Sequence, residues 1–299
     1  MTILENLKNL KIGEVLEREP LKNHTTFKIG GPCKALILNN SYEDVRKTVE
    51  FLRNNNQKFM IIGNGSNLLV SDKGLDFFVI KIGENLSEVQ LEGEKIRAMA
   101  GAGLGFVSKF AIKNSLEGME FSSGIPGNIG GGVSMNAGAY GGELKDIIES
   151  VKVINNNNEI INMKNSEMNF SYRHSRVFEE DLIVLEATFK LKHGVYDEIY
   201  ARFKDFDNRR REKQPLEYPS AGSTFKRPVG YFAGKLIEEA GLRGYRYKNA
   251  MVSSKHCGFV ITDGESNFDE VMHVINHVRD VVFEKNGVKL ETEVKILGE

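Results

Sequence analysis

The most informative part of the sequence is SSGIPGNIGGG (residues 122–132), which is followed closely by NAGAYGG (136–142). Eight of the nineteen residues from 124 to 142 are glycine. Each glycine inside a helix or strand costs roughly 0.5–1 kcal/mol, so this density indicates that something approaches the backbone closely. Backbone N–H groups of such loops bind anions, and a diphosphate is a typical occupant. The interleaved Ile125, Ile129 and Val133 favour a packed loop over a flexible surface loop.

Two further glycine turns lie upstream. GNGSNLL (63–69) follows a predicted strand, and its amide and hydroxyl donors suit phosphate or ribityl oxygens. GAGLG (101–105) lacks the G-x-G-x-x-G spacing of a Rossmann fingerprint, and the sequence contains no Walker G-K-[ST] motif. Three glycine turns without either signature predict a dinucleotide pocket of a different construction.

Composition excludes several classes of protein. The 299 residues contain 40 Lys+Arg and 41 Asp+Glu, so bulk attraction to nucleic acid or to an anionic membrane is not expected. The sequence contains no apolar run of about 20 residues and no apolar signal segment at its charged start, so we expect a cytoplasmic protein. Cys33 and Cys257 are isolated, so neither a disulfide framework nor a metal site is predicted.

The first two thirds of the chain predict a mixture of helices and strands. Apolar residues at helical spacing predict one helix over residues 3–16, and Ser41 is a suitable cap for a second one before Val45, Val49 and Leu52. Apolar runs then predict the following elements: strands at 59–62, 77–82, 89–91 and 96–100, a helix at 104–114, a hairpin of 151–154 with 159–163, and a strand at 182–191. This order favours an α+β fold.

The pattern changes near residue 195, where we place the main domain boundary. A helix is predicted at 196–213 and is ended by Pro215 and Pro219. The remaining predicted elements are helices at 230–240 and 267–286 and strands at 249–253, 258–262 and 290–297. At this length a chain usually forms about two domains, which agrees with the division.

Six motifs together resemble one family. They are TTFKIGGP (25–32), the turn at 63, SGIPG (123–127), SYR (171–173), AGSTFK (221–226) and LETEV (290–294). In this order they resemble the UDP-N-acetylenolpyruvoylglucosamine reductases, the flavoenzymes that complete UDP-N-acetylmuramate in peptidoglycan precursor synthesis. The resemblance covers nearly the whole chain.

The resemblance implies a fold and a reaction. It implies a FAD-binding domain of the vanillyl-alcohol-oxidase (PCMH) type over 1–194, with two subdomains split near 93, and a C-terminal α+β substrate-binding domain over 195–299. The implied reaction uses NADPH as co-substrate to reduce the enolpyruvyl ether of a UDP-sugar. FAD is expected to be bound without a covalent link, because neither His nor Cys occurs at 63–68 or 124–132. No nucleic-acid or membrane partner is implied, and protein partners are left unspecified.

Three residues are implied to carry the chemistry. Arg173 would clamp the substrate carboxylate with its planar fork of donors. Ser223 would donate a proton to the carbon next to the one that receives the hydride. Glu293 would polarise the enolpyruvyl group. Taken without the resemblance, these residues are a surface arginine, a turn serine and a glutamate on the solvated face of a strand over 290–296, where alternation places Glu291, Glu293 and Lys295 together.

The remaining site residues are implied to bind ligands. FAD is assigned to Gly63, Asn64, Gly65, Ser66, Asn67, Leu68, Gly124, Ile125, Pro126, Gly127, Gly130, Gly131, Asn136 and Lys295. Lys295 stands where some relatives have Arg near the flavin pyrimidine. The substrate is assigned to Tyr172, Lys213, Lys226 and Arg227. Residues 209–255 contain eleven Lys+Arg and four Asp+Glu, which suits a diphosphate, although a solvated basic helix explains the first of these charges equally well.

Two alternatives remain open from the residues themselves. A FAD-dependent oxidase of the same fold would pass electrons to oxygen. A non-enzymatic nucleotide-sugar-binding protein would use the basic segment but would leave the glycine turns unexplained.

Overall fold

The computed structural model describes residues 2–298. Its α-helices are α1 (Ile3–Asn9), α2 (Tyr42–Asn54), α3 (Leu104–Lys113), α4 (Ile129–Ser134), α5 (Arg176–Glu179), α6 (Tyr196–Lys213), α7 (Ala233–Glu239) and α8 (Phe268–Asn286). Short 3₁₀ turns occur at Leu21–His24, Glu84–Leu86, Glu120–Ser122, Leu144–Asp146 and Asn165–Glu167.

The strands are mostly short. They are β1 (Gly13–Glu17), β2 (Cys33–Asn39), β3 (Phe59–Ile62), β4 (Leu68–Val70), β5 (Leu75–Lys81), β6 (Val89–Glu92), β7 (Lys95–Met99), β8 (Leu116–Glu117), β9 (Gly138–Ala139), β10 (Gly142–Glu143), β11 (Ile148–Ile154), β12 (Ile160–Lys164), β13 (Ile183–Lys190), β14 (Lys192–His193), β15 (Arg246–Tyr247), β16 (Ala250–Val252), β17 (Val260–Thr262) and β18 (Lys295–Leu297).

The chain divides into two compact units. The first contains the residues up to Glu17, Ala35–Asn64 and Phe77–Arg209. Its two main sheets have the strand orders β1-β2-β5-β3 and β12-β11-β13-β7-β6, and the second of these is antiparallel throughout. Fully buried side chains, among them Phe78 and Phe189, form a core of its own for this unit.

Helix α2 illustrates how local sequence builds the first unit. Ser41 caps the helix by accepting a hydrogen bond from the Asp44 N–H to its hydroxyl at 3.1 Å. Val45, Val49 and Leu52 recur at helical spacing and are fully buried. The predicted cap and the predicted buried face are both confirmed.

The second unit contains Arg18–Lys34, Gly65–Asp76 and Arg210–Glu299. An antiparallel sheet of order β15-β16-β17 and a parallel pair of β18 with β4 are its strands. Helix α8 begins at the cap Asn267 and ends at Gly287, whose φ of 68° is left-handed. Val271, Ile275 and Val278 on this helix belong to the buried core of the unit.

The predicted secondary structure needs correction in several places. The helix predicted over 3–16 is wrong beyond Asn9, because Gly13 (φ 122°) starts β1 so close to its partner strand that a Cβ would lie 2.0 Å from the Leu38 carbonyl oxygen. Strand β2 was not predicted, since a short apolar run does not by itself distinguish strand from helix. The strand predicted over 290–297 is limited to Lys295–Leu297.

The two units differ in extent from the predicted domains. The segments 18–34 and 65–76 join the C-terminal third of the chain rather than the first part. The assignment of residues 1–194 to FAD binding and of residues 195–299 to substrate binding stays a prediction. None of the helices within residues 2–298 is long and apolar enough to cross a membrane.

Candidate active site

Asn128 joins the three glycine turns of the first unit. Its side-chain oxygen accepts a hydrogen bond from the Asn64 N–H at 2.7 Å, and its amide nitrogen donates to the Gly101 carbonyl. Asn64 in turn donates from its side chain to the Pro126 carbonyl at 3.1 Å. Asn128 is 5% exposed and stands at the cap position of α4, yet it makes no capping hydrogen bond with its side chain. Its amide is therefore used to hold the turns together.

The third glycine turn takes part in the same arrangement. The Leu104 N–H donates to the Gly127 carbonyl at 2.9 Å, and the Ile129 N–H donates to the Ala102 carbonyl at 2.8 Å. This turn, which lacks the Rossmann spacing, therefore supports the glycine-rich loop. The role of Asn128 was not predicted from the sequence. The available signal was that Asn128 is the one large polar residue between Gly124 and Gly132.

The glycines of α4 differ in what surrounds them. The Gly130 N–H donates to the Ala100 carbonyl at 2.8 Å, so this N–H is engaged within the protein. A Cβ at Gly132 would lie 2.9 Å from Leu104 Cδ1 and 3.1 Å from Leu144 Cδ1. A Cβ at Gly131 would meet no atom of the described residues within 4 Å. Gly132 is thus required by packing, whereas Gly131 leaves an open cradle.

Helix α6 contacts both ends of the stretch that contains the glycine-rich loop (122–132) and the segment after it (136–142). Arg202 donates to Glu120 Oε1 at 2.9 Å, directly before the loop begins. The ring of Phe206 stacks on Tyr140 with the centroids 4.8 Å apart. The ion pair with Glu120 raises the pKa of the Arg202 guanidinium.

Arg173 lies in a tight turn of the first unit. The Ser171 N–H donates to the His174 carbonyl at 3.1 Å, and the His174 N–H donates back to the Ser171 carbonyl at 3.2 Å. Arg173 itself has a φ of 55°, a left-handed conformation that is uncommon for an arginine. Its guanidinium donates to the Gly138 carbonyl at 3.2 Å and lies over the Tyr172 ring at 4.9 Å.

The predicted turn at 63–68 is shared by the two units. Gly63 and Asn64 belong to the first unit, and Gly65, Ser66, Asn67 and Leu68 belong to the second. Gly65 requires glycine, because its φ is 61° and a Cβ would lie 2.1 Å from the His24 carbonyl oxygen. The Asn67 side chain donates to the Glu293 carbonyl at 3.1 Å, while the Lys295 N–H donates to the Asn67 carbonyl at 3.0 Å.

The segments that carry Ser223 and Glu293 are bridged in the second unit. The Glu293 N–H donates to the Thr224 carbonyl at 2.8 Å, and Lys226 and Glu291 form a further backbone hydrogen bond at 2.8 Å. Thr224 is buried, and its hydroxyl accepts from the Val260 N–H at 2.9 Å. Ser223, one residue earlier, is exposed. The placement of Glu293 therefore follows from these bridges, and the predicted alternation along a strand over 290–296 is wrong.

The other predicted residues of the second unit are more scattered in their environments. Lys226 forms an ion pair with Glu291 at 3.2 Å, and the Arg227 guanidinium lies 3.9 Å from the centre of the Phe232 ring. Lys213 is exposed at the end of α6. Burial lowers the pKa of Lys295 to about 8.

Each unit thus brings together part of the predicted site. The first unit gathers Gly63, Asn64 and the 124–131 loop around Asn128. In the second unit, hydrogen bonds join Asn67 to Glu293 and Glu293 to Thr224, the residue after Ser223. Residues 33–164 match the family model described as a FAD binding domain. With the open glycine cradle, this match defines the class: the protein is a FAD-containing oxidoreductase of α+β fold.

Comparisons with known proteins identify the family. Residues 214–297 match the model described as the C-terminal domain of UDP-N-acetylenolpyruvoylglucosamine reductase. The chain is 49% identical over 298 residues to a protein of that name from Caldanaerobacter subterraneus subsp. tengcongensis, covering 99% of this chain and 98% of the relative. It is 48% identical to the protein of that name from Clostridium tetani, covering 98% and 95%.

A solved structure agrees with these relatives. The crystal structure of UDP-N-acetylenolpyruvylglucosamine reductase from Thermus caldophilus matches with a TM-score of 0.83 and 33% identity, covering 95% of this chain and 98% of that one. The chain belongs to the UDP-N-acetylenolpyruvoylglucosamine reductase family. The predicted family and the predicted α+β fold with a FAD-binding part are confirmed.

Proposed function

We propose that this protein reduces the enolpyruvyl ether of UDP-N-acetylglucosamine enolpyruvate to UDP-N-acetylmuramate with NADPH, and that Arg173, Ser223 and Glu293 carry the reaction. The observation that carries the proposal is the backbone hydrogen bond from Glu293 to Thr224, which joins the segment of the proposed polarising residue to the segment of the proposed proton donor in one unit. Supply of both NADPH and a UDP-sugar would place the activity in the cytoplasm.

The residues present fit a bound FAD. A Cβ at Gly131 would enter open space, so a ligand group has room beside this backbone, and Asn128 holds the glycine turns at 63 and 101 to the same loop. FAD supplies the hydride-transfer chemistry that the protein side chains lack. The residues proposed to hold it are taken from those that the family resemblance assigns to FAD, namely Gly63, Asn64, Gly65, Ser66, Asn67, Leu68, Gly124, Ile125, Pro126, Gly127, Gly130, Gly131 and Lys295. A non-covalent link is proposed because neither His nor Cys occurs at 63–68 or 124–132.

Arg173 is proposed to bind the substrate carboxylate. Reduction of an enolpyruvyl ether accumulates negative charge toward that carboxylate, and a guanidinium meets it with two parallel donors. A left-handed arginine is a costly conformation of order 1–3 kcal/mol, and such residues cluster at functional sites. Arg173 shares its positive φ with eleven other non-glycine residues among those that the structure describes, so its proposed role rests on its chemistry and on its place in the SYR motif.

Ser223 is proposed to protonate the carbon next to the carboxylate. A hydroxyl is a weak acid, but a carbanion-like carbon is far more basic and takes its proton. Ser223 is exposed, while its neighbour Thr224 is buried and fixed on three sides, so the hydroxyl is presented from a rigid support. Glu293, tied to that support, is proposed to polarise the enolpyruvyl group.

The diphosphate of the substrate is proposed to bind Lys213, Lys226 and Arg227, with Tyr172 as a further contact. Lys226 would have to exchange its ion pair with Glu291 for the phosphate. That exchange is inexpensive, because Glu291 is exposed and exposed ion pairs contribute only about 0–1 kcal/mol.

An anaerobic two-step titration tests the function. NADPH is added to the purified protein first, and the enolpyruvyl sugar second, while the flavin absorbance is followed. We expect bleaching by NADPH and recovery of the colour by the sugar. Recovery by oxygen alone would instead identify an oxidase, and a colourless protein that binds UDP-sugars would identify a binding protein.

A further inference from the structure

We propose that Asn136 and Ser175 are positioning residues that hold the Tyr172–Arg173 turn against the segment after the glycine-rich loop. The inference rests on the proposed function only for the role of Arg173 as carboxylate clamp. It assigns Asn136 to the turn rather than to FAD, and it gives Ser175 a role that the sequence did not suggest.

Asn136 uses its amide inside the protein. The residue is fully buried, and its side-chain nitrogen donates to the Ser171 carbonyl at 3.0 Å and to Glu143 Oε2 at 3.1 Å. Its side-chain oxygen accepts from the Lys145 N–H at 3.0 Å. With both amide protons and one lone pair engaged, this amide has little capacity left for a ligand.

Ser175 makes the corresponding contact on the other side of the turn. Its side chain is fully buried, and its hydroxyl donates to the Ser134 carbonyl at 2.8 Å. The acceptor is the last residue of α4, the helix that contains Gly131. The turn from Ser171 to Ser175 is therefore attached to the same segment at both of its ends.

The attachment explains how Arg173 keeps a strained conformation. A left-handed arginine persists only where its surroundings determine the backbone more strongly than its own preference does. Here the ends are fixed by Asn136 and Ser175, and the guanidinium itself reaches the Gly138 carbonyl of that segment. Without these contacts the turn can relax and move the guanidinium away from its working position.

The consequence for the reaction is specific. A displacement of about 1 Å of a positioning group can cost about 10²-fold in rate. Only the step in which the carboxylate of the enolpyruvyl group is bound and the double bond of that group is reduced needs Arg173. Reduction of the flavin by NADPH does not.

The experiment compares two variants with two matched controls. Asn136→Gly removes the amide at a left-handed residue (φ 43°) where glycine is unstrained, and Ser175→Ala removes the hydroxyl. Ser108→Ala is the control for the serine, because Ser108 is also fully buried and donates to a backbone carbonyl, that of Met119, at 2.8 Å. Asn165→Ala is the control for the asparagine, because Asn165 donates to the carbonyls of Lys145 and Ile148 and to neither end of the turn.

Flavin content, the rate of flavin bleaching by NADPH and the rate of reoxidation by the enolpyruvyl sugar are measured for each protein. We expect reoxidation to slow by about 10²-fold in Asn136→Gly and about 10-fold in Ser175→Ala, with flavin content and bleaching within about twofold of the parent. Both controls should leave reoxidation within about twofold. Loss of flavin from Asn136→Gly, or equal slowing in variant and control, would overturn the proposal.

Limited trypsin digestion tests the turn independently of the activity of the protein. Cleavage after Arg173, identified by fragment mass, follows how often the turn opens. We expect cleavage there to be at least about tenfold faster in both variants than in their controls. If the parent fails to reduce the sugar, the proposed function fails, and this digestion still decides the proposal. Unchanged cleavage in Ser175→Ala and Asn136→Gly would show that neither residue holds the turn.

Discussion

The glycine-rich loop of the first unit and the Ser223 segment of the second are held in place by different means. Around the loop, the amides of two buried asparagines, Asn128 and Asn136, connect backbone segments that are distant in sequence. Around Ser223, backbone hydrogen bonds of Thr224 and Lys226 to residues 291–293 hold the segment in place. The first arrangement depends mainly on side-chain amides, and the second depends mainly on backbone hydrogen bonds, to which the buried Thr224 hydroxyl adds one side-chain contact.

Because of this difference, mutations in the two units should affect the reaction rate and the stability of the fold differently. In the second unit, an exposed side chain such as Ser223 can be removed without disturbing the bridges that support it. In the first unit, removing one amide releases several turns together. Removal of a single side chain from each unit therefore tests the contrast.

Ser223→Ala should give the largest effect and confine it to one step. Loss of a positioned general acid typically costs about 10²–10⁴-fold, equivalent to roughly 3–5 kcal/mol in the barrier. Reoxidation by the enolpyruvyl sugar should slow by that factor, while bleaching by NADPH stays close to the parent rate. Stopped-flow absorbance measures both steps.

The same variant should leave stability unchanged, within about 0.5 kcal/mol, as for most exposed positions. Thr224→Val should do the opposite and destabilise the fold, because the Val260 N–H loses its buried acceptor. Equal slowing of bleaching and reoxidation in Ser223→Ala would remove this residue as proton donor.

Asn128→Leu should produce the largest loss of stability. It keeps a similar shape but leaves the Gly101 carbonyl and the Asn64 N–H without their partner, at a cost of about 1–3 kcal/mol. Flavin affinity should fall as well, since the turns at 63 and 127 lose their connection. Urea unfolding followed by circular dichroism, and flavin release followed by fluorescence, give the two quantities.

Asn114→Leu is the control, because the Asn114 side chain donates to the Phe110 carbonyl of α3, the helix that Asn114 caps, and not to a distant glycine turn. A loss of stability in Asn128→Leu no larger than in this control would mean that the three turns are held by their backbone bonds alone.

The contrast also explains what the sequence could predict. Helix α2 and the hairpin of β11 with β12 follow from local capping, periodicity and a turn of asparagines. The glycine turns were visible because glycine density is a local property. Asn128, Asn136 and Ser175 act on segments up to 64 residues away, so no local pattern could reveal their partners.

Glu293 shows the same limit from the other side. Strand alternation over 290–296 is a local argument, and it fails because the segment bridges to Thr224 before it becomes β18. The motif match selected the residue, while its placement depends on a contact between residues 224 and 293 that only the fold creates.

Gly131→Ala and Gly132→Ala should separate the cofactor from the fold within one helix. The Cβ at Gly131 enters open space, so the apoprotein should keep its stability or gain up to about 1 kcal/mol from helix propensity. The Cβ at Gly132 meets Leu104 and Leu144, so the apoprotein should lose about 1–3 kcal/mol. Flavin content should fall in Gly131→Ala despite the intact fold. Unchanged flavin there would show that the open cradle does not receive FAD.

The smallest effect concerns His256, which supports the Ser223 segment indirectly. Its Nδ1 accepts a hydrogen bond from the Gly258 N–H at 3.1 Å, and the Gly258 carbonyl accepts from the Thr224 N–H at 2.8 Å. Burial, followed by the charge of nearby Arg243, lowers the pKa of His256 below its usual 6.5. The neutral ring is therefore the form that the folded protein favours.

Lowering the pH through this range should weaken the second unit. Below 6.5 the unfolded chain takes up a proton at this histidine before the folded protein does, so the free energy of unfolding falls as the pH falls. Above 6.5 both states are neutral and the contribution is complete. His256→Gln removes the titration, so the stability difference between parent and variant should be flat above that pH and should shrink below it. Urea unfolding of both proteins between about pH 5 and 8 measures the difference and cancels the other histidines. A difference that stays constant down to the lowest pH would show that protonation of His256 does not act on the fold, and that the Thr224 support rests on its backbone bonds alone.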